Sequence, residues 1–152
     1  MKPRELLISR TQKYVKGPQE DLISIITGIQ QVKGNIHLNI GEPLTHDEIQ
    51  AASTCMKNDR YQAIRHAVDL RVIEGYKLWK TNYISYDMVN HSYKYSDLYS
   101  PEDVEAFTEY VEKQLDKVEK SLCRADLRDI LLRIYGNPVV SREKLMEERK
   151  NK

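Results

Sequence analysis

Long apolar runs are missing from this sequence: nothing approaches the ~18 consecutive apolar residues of a membrane-crossing helix. The first residues also lack an apolar core behind Lys2 and Arg4, so no secretory leader is expected. Charge of one sign is missing too. Lys and Arg total 24 against 23 Asp and Glu, a formal net charge of +1, whereas a dedicated nucleic-acid binder carries a clear basic excess. Only two cysteines occur, Cys55 and Cys123, without metal or redox spacing, and they are read as reduced thiols of a cytoplasmic protein. The six glycines form neither GxGxxG nor GxxxxGK, and HExxH, EF-hand and Cys/His clusters are absent. No nucleophile elbow is recognisable. The chain therefore offers no catalytic, cofactor-binding or metal-binding residue to nominate, and no cofactor.

What is present is helical pattern. The 152 residues, 40% apolar and 31% charged, suit one domain with a core of its own. Residues 1–15 suggest a short helix or an extended arm, broken at Gly17-Pro18. Leu22, Ile25, Ile26 and Ile29 then predict an inward-facing helical stripe, with Glu20 and Asp21 at its positive end. Thr45 and Glu48 form a capping box for a short helix to about Met56. Asn58 and Asp59 look like the next cap, and Ile64, Val68, Val72, Gly75 and Trp79 share one helical face. A short helix near Tyr83–Val89 leads into a tyrosine-rich loop. Ser100-Pro101-Glu102-Asp103 is a strong helix start, followed by the stripe Val104, Phe107, Val111, Leu115, Val118 and Leu122. A last helix, with Leu127, Ile130, Leu131 and Ile134 inward, is expected to stop at Gly136-Asn137-Pro138. The charged stretch 139–152 is read as a frayed or disordered tail.

One segment breaks the helical pattern. From Gly34 to Leu44, Ile36, Leu38 and Ile40 alternate with Asn35, His37 and Asn39, between Gly34 and Gly41-Glu42-Pro43. That period-2 pattern predicts a strand over about 35–40. A lone strand cannot satisfy its own backbone groups, so its natural place is the edge of a larger sheet. The fold class is thus mainly α, a helical domain with one short strand.

Four histidines could carry chemistry. His37 lies on the polar side of the strand, with Glu42 five residues on, in a geometry that does not fix the pair. His46 opens a capped helix, His66 shares a face with Asp69 without a third ligand, and His91 falls in the tyrosine loop. Packed or surface histidines account for all four. Tyr83, Tyr86, Tyr93, Tyr95 and Tyr99, with Lys77 and Lys94 nearby, could stack on a ligand. The simpler reading is a half-buried interface, since a tyrosine ring packs while its hydroxyl reaches water or backbone.

Three stretches together carry a resemblance: Glu20 to Ile29 with Lys33 to Leu44, Thr81 to Asp87, and Leu132 to Pro138. In order and spacing they resemble the late part of a bacterial glycerolipid-type acyltransferase, of the lysophosphatidate acyltransferase superfamily. The resemblance implies that residues 1–44 are the end of a catalytic domain, with 35–40 as an edge strand of its α/β sheet. Residues 45–138 would then be a helical C-terminal extension and 139–152 a charged tail. The family's catalytic block is His-x-x-x-x-Asp, with histidine as base on the acceptor hydroxyl and aspartate orienting it. Five residues after His37, His46, His66 and His91 stand Glu42, Ala51, Arg71 and Ser96, so none fits. Glu74-Gly75 resembles the Glu-Gly acceptor block only superficially, inside a helix pattern and too late in the chain.

The expectation is a C-terminal portion of an acyltransferase of phospholipid biosynthesis, inactive alone, partnered by an upstream catalytic domain and without nucleic acid. It would be cytoplasmic, with contact to the inner membrane face left open. The alternative is a stand-alone helical module that binds a protein through the Val104–Leu122 stripe or the tyrosine loop. Either allows a homodimer through the edge of the strand.

Overall fold

The computed structural model describes residues 2–31 and 34–151. Its helices are α1 (Lys2–Ile8), α2 (Glu20–Gln30), α3 (His46–Ser53), α4 (Lys57–Gly75), α5 (Lys80–Asn90), α6 (Pro101–Leu115) and α7 (Arg124–Lys150). A 3-10 turn spans Ser96–Leu98. The mainly α fold class is what the structure has. The strand is not: among the described residues none is in a strand, so 35–40 has no partner strand there with which to form a ladder.

The chain divides into two compact units. The first comprises Met1–Ile36 and Trp79–Asn137. Its core gathers Ile84 of α5, Phe107, Val111 and Leu115 of α6, Val118 of the following turn, and Leu127, Leu131 and Leu132 of α7. The Ser100 cap behaves as its sequence predicts. Its hydroxyl accepts the Asp103 N–H, the Asp103 carboxylate accepts the Ser100 N–H, and Pro101 occupies the first turn. Helices α5 and α7 are tied by Ser85 Oγ donating to the Leu132 carbonyl (2.5 Å) and Asn82 Nδ2 to the Tyr135 carbonyl (2.8 Å). They approach so closely that a Cβ on Gly136 would sit 3.3 Å from the Tyr86 backbone. That glycine is a packing residue, not a helix stop.

The second unit comprises His37–Leu78 and Pro138–Lys152. The Thr45–Glu48 capping box forms as predicted, and α3 packs on α4. Glu48 also takes the Arg71 guanidinium at 2.8 Å. Pro138 lies inside α7 rather than ending it. A proline there forfeits one backbone bond, but the turns beyond it bury Val139 and Leu145, and that burial offsets the loss. Tyr76 donates its hydroxyl to the Pro138 carbonyl. Arg142 stacks over the Tyr76 ring at 4.9 Å while bonding the Tyr76 carbonyl. The charged stretch is therefore helical through Lys150.

Three predicted faces differ from expectation. The α2 stripe is bare, with Leu22, Ile23, Ile25, Ile26 and Ile29 all 43–75% exposed. Helix α4 buries no residue, its N-cap is Met56 rather than Asn58 or Asp59, and Val68 and Val72 are exposed. Ile134 also faces outward. Periodicity locates an apolar face but not the surface that covers it.

Candidate functional site

The segment after Gly34 is the most informative part of the surface. In the second unit, His37 Nε2 lies 2.9 Å from the Gly75 carbonyl at the end of α4. The Asn39 side chain fills the space where Gly75 has no Cβ; a Cβ there would be 2.0 Å from Asn39 Nδ2. Gly41 lies against Arg71. Thus His37, Asn39 and Gly41, the polar side of the predicted strand, rest on α4. The apolar side points away: Leu38 is 83% and Ile40 89% exposed, and Ile36, in the first unit, is 77% exposed. The alternation read from sequence is real, but its polarity toward the rest of the chain is inverted. Burying isoleucine and leucine is favourable by roughly 1.5–3 kcal/mol each, and among the described residues these three side chains do not gain it.

In the first unit, α2 is held from its N-terminal end by a chain of polar contacts. Glu119 accepts Arg4 Nε at 2.7 Å, Arg4 Nη1 donates to Tyr14 (2.9 Å), and Tyr14 donates to Glu20. Glu20 is held below the usual carboxylate range first by Tyr14 and then by the Gly17 N–H. The apolar arc of α2 takes no part in this chain and has no buried residue.

The histidines do not converge. His37 is engaged by a backbone carbonyl, His46 opens α3, His66 lies in α4, and His91 caps α5 with a left-handed φ of 49°. Among the described residues no group of three or more His, Cys, Asp or Glu could hold a metal, and both cysteines are exposed and free. Glu74 pairs with Arg149 within the second unit, a structural use for the residue before Gly75. No helix among the described residues is long and apolar enough to cross a membrane.

The tyrosine loop is organised by Asp87, a residue that the sequence pattern does not single out. This carboxylate is 3% exposed and accepts from Ser92 Oγ, Lys94 N (3.1 Å), Tyr95 N (2.9 Å) and Tyr99 Oη (2.8 Å). Burial pushes Asp87 up, but the four donors outweigh it and hold the carboxyl below its ordinary value. Tyr83 and Tyr86 pack on Tyr95 at 4.9 and 5.4 Å, and the Lys94 ammonium lies over the Tyr86 and Tyr95 rings. Spacing could not reveal this knot, because two of its four donors are backbone N–H groups of an irregular loop.

No protein-family model, curated protein or solved structure matches this chain.

Proposed function

We propose that this chain is the C-terminal portion of a glycerolipid-type acyltransferase, carrying none of the catalytic residues and completed by a catalytic domain upstream. One observation supports the reading above the rest. Between Glu20 and Leu44, the later part of the stretch 1–44 assigned to the end of that domain, no described residue is buried, although Pro3 in α1 is. Helices α5 to α7, assigned to the extension, have their own core. A self-contained module would be expected to cover the α2 face and the Ile36, Leu38 and Ile40 side chains. An edge strand and its preceding helix, separated from their sheet, would leave them bare.

The parent reaction on this reading is transfer of an acyl group from a thioester to a glycerolipid-like hydroxyl. Residues 35–40 supply the last strand of the sheet, and the apolar faces meet that domain, which works at the inner face of the membrane. The competing reading, a helical protein-interaction module, draws on the same bare faces.

The coding sequence ahead of Met1 separates the two. An in-frame His-x-x-x-x-Asp block upstream supports the acyltransferase reading, and a stop codon before any such block overturns it. In parallel, the 152-residue chain incubated with an acyl thioester and lysophosphatidate should give no turnover above a heat-killed control.

A further inference from the structure

The segment that crosses α4 carries unused backbone as well as an unused apolar face. Asn39 lies over Gly75 and Gly41 over Arg71, two helix positions four residues apart on one line of α4. Leu38 and Ile40 point the other way, which is the alternation of an extended chain. Among the described residues, no backbone N–H or C=O of residues 35–42 enters a hydrogen bond. Unpaired groups along an extended stretch are the edge that another strand reads. Natural edges are blunted by charged residues or proline, yet residues 35–41 contain no Lys, Arg, Asp, Glu or Pro.

The two flanks of the segment differ. On one side of the Arg71–Gly75 line, Val68 and Val72, 41% and 57% exposed, line a hollow of about 540 Å³ beside Leu38. On the other side, Leu70 and Glu74 line a hollow beside Ile40, and Glu74 carries its ion pair with Arg149. The valine flank offers apolar surface to an added strand. The charged flank discourages a further one.

Symmetry in the sequence selects the occupant. With an antiparallel copy centred on Leu38, Leu38 faces Leu38, Ile40 faces Ile36 and Asn39 faces His37. Apolar residues then meet only apolar ones, and polar only polar. A one-residue slip turns one strand over and sets Leu38 against His37 or Asn39. A two-residue slip leaves Ile36 opposite Glu42, or Ile40 opposite Gly34. Only the register centred on Leu38 pairs all three apolar residues.

We propose that this segment pairs antiparallel with the same segment of a second copy, about a two-fold axis at Leu38, to give a closed dimer. The pairing uses the free backbone groups and sets three apolar cross-strand pairs on the outer face. Beneath the ribbon it brings the Val68 and Val72 flanks of the two α4 helices together. The inference stands on residues of the 152-residue chain and does not rest on the acyltransferase reading.

Sedimentation of the full chain should show a concentration-dependent dimer and nothing larger. Leu38→Lys, at a position 83% exposed, should leave circular dichroism unchanged and weaken the dimer by about tenfold or more, since like charges would stand directly opposite. Register is read by disulfide cross-linking in a Cys55→Ser, Cys123→Ser background, which removes the two exposed thiols. Leu38→Cys should cross-link, because directly opposite Cα atoms stand roughly 4.5–5.5 Å apart, within disulfide range. Ile40→Cys alone should not, because the two copies of residue 40 lie about 13 Å apart along the ribbon. Ile36→Cys combined with Ile40→Cys should restore the cross-link. A monomer at every concentration overturns the proposal, as does an open-ended series of larger species. So does a dimer that Leu38→Lys leaves intact, which would place the contact elsewhere, or Ile40→Cys cross-linking as well as Leu38→Cys. An upstream stop codon would remove the acyltransferase reading and leave this dimer standing, and monomeric behaviour would do the reverse.

Discussion

His37 Nε2 and the Gly75 carbonyl lie 2.9 Å apart, and this contact sets which side of the 37–41 segment faces the chain. The Asn39 amide sits beside it in the space left by the missing Cβ of Gly75. Gly75→Ala therefore has two opposing effects. As the last helical residue, alanine favours α4 by up to about 1 kcal/mol. Its Cβ, however, would lie 2.0 Å from Asn39 Nδ2 and 2.7 Å from Asn39 Cγ, so that flexible amide must leave. The expected outcome is a nearly unchanged melting temperature with faster amide hydrogen exchange over 37–41. Unchanged exchange there would show that Asn39 does not hold the segment.

The bare face of α2 predicts a context-dependent mutant. In this chain alone, Ile25→Asp and Ile26→Asp replace exposed residues and should alter stability by no more than about 0.5 kcal/mol. They should also reduce self-association in light scattering, since an apolar patch is removed. On the proposed acyltransferase reading, the same changes in a polypeptide with a catalytic domain ahead of Met1 should cost on the order of 3 kcal/mol or more, because an unpaired carboxylate would be buried. Equal effects in both polypeptides would argue that α2 is bare in both.

Local rules were legible in the sequence where the physics is local. Thr45 with Glu48 and Ser100 with Asp103 are caps in fact as in pattern, since a cap needs only residues three apart. Phe107, Val111, Leu115, Leu127 and Leu131 are core as the 3.6-residue stripe predicts. The misses concern covering surfaces. The stripes of α2 and α4 and the 35–40 alternation mark faces suited to burial, and nothing in a stripe says whether the covering surface lies in the same chain. Pro138 misled for a related reason: its local cost is real, but burial of Val139 and Leu145 beyond it decides the outcome.

The α6 cap makes a quantitative prediction. Ser100→Ala leaves the Asp103 N–H without its hydroxyl acceptor and should cost about 1 kcal/mol, within the 0.5–2 kcal/mol seen for such caps. Leu115→Ala, at the buried end of the same helix, removes core volume and should cost about 2–5 kcal/mol. Urea unfolding followed by circular dichroism measures both. A Ser100 loss as large as that of Leu115 would show that the cap holds more of the first unit than one N–H.

The Asp87 knot predicts how the tyrosine loop responds to pH. Its carboxyl is held below the ordinary value of about 3.9 because four donors outweigh the cost of burial. The stability that it contributes is therefore fully present above that ordinary value and is lost as pH falls through the lower, folded one. Tyr99 sets the opposite limit. Its hydroxyl is pushed up to about 12 by burial and then by Asp87, so its contribution holds below the ordinary tyrosine value of about 10 and is lost as pH rises through about 12. Between these limits, Asp87→Ala leaves Ser92, Lys94, Tyr95 and Tyr99 without their shared acceptor, at a cost of roughly 1–3 kcal/mol for each donor that stays buried. Asp87→Asn keeps an acceptor oxygen and should cost less. Hydrogen exchange at Lys94 and Tyr95 is the sharpest readout, because those two N–H groups bond Asp87 directly. In the wild type they should be protected at neutral pH and exposed in acid. In Asp87→Ala they should exchange fast at every pH, and protection that survived the substitution would show that the loop is held by its rings alone.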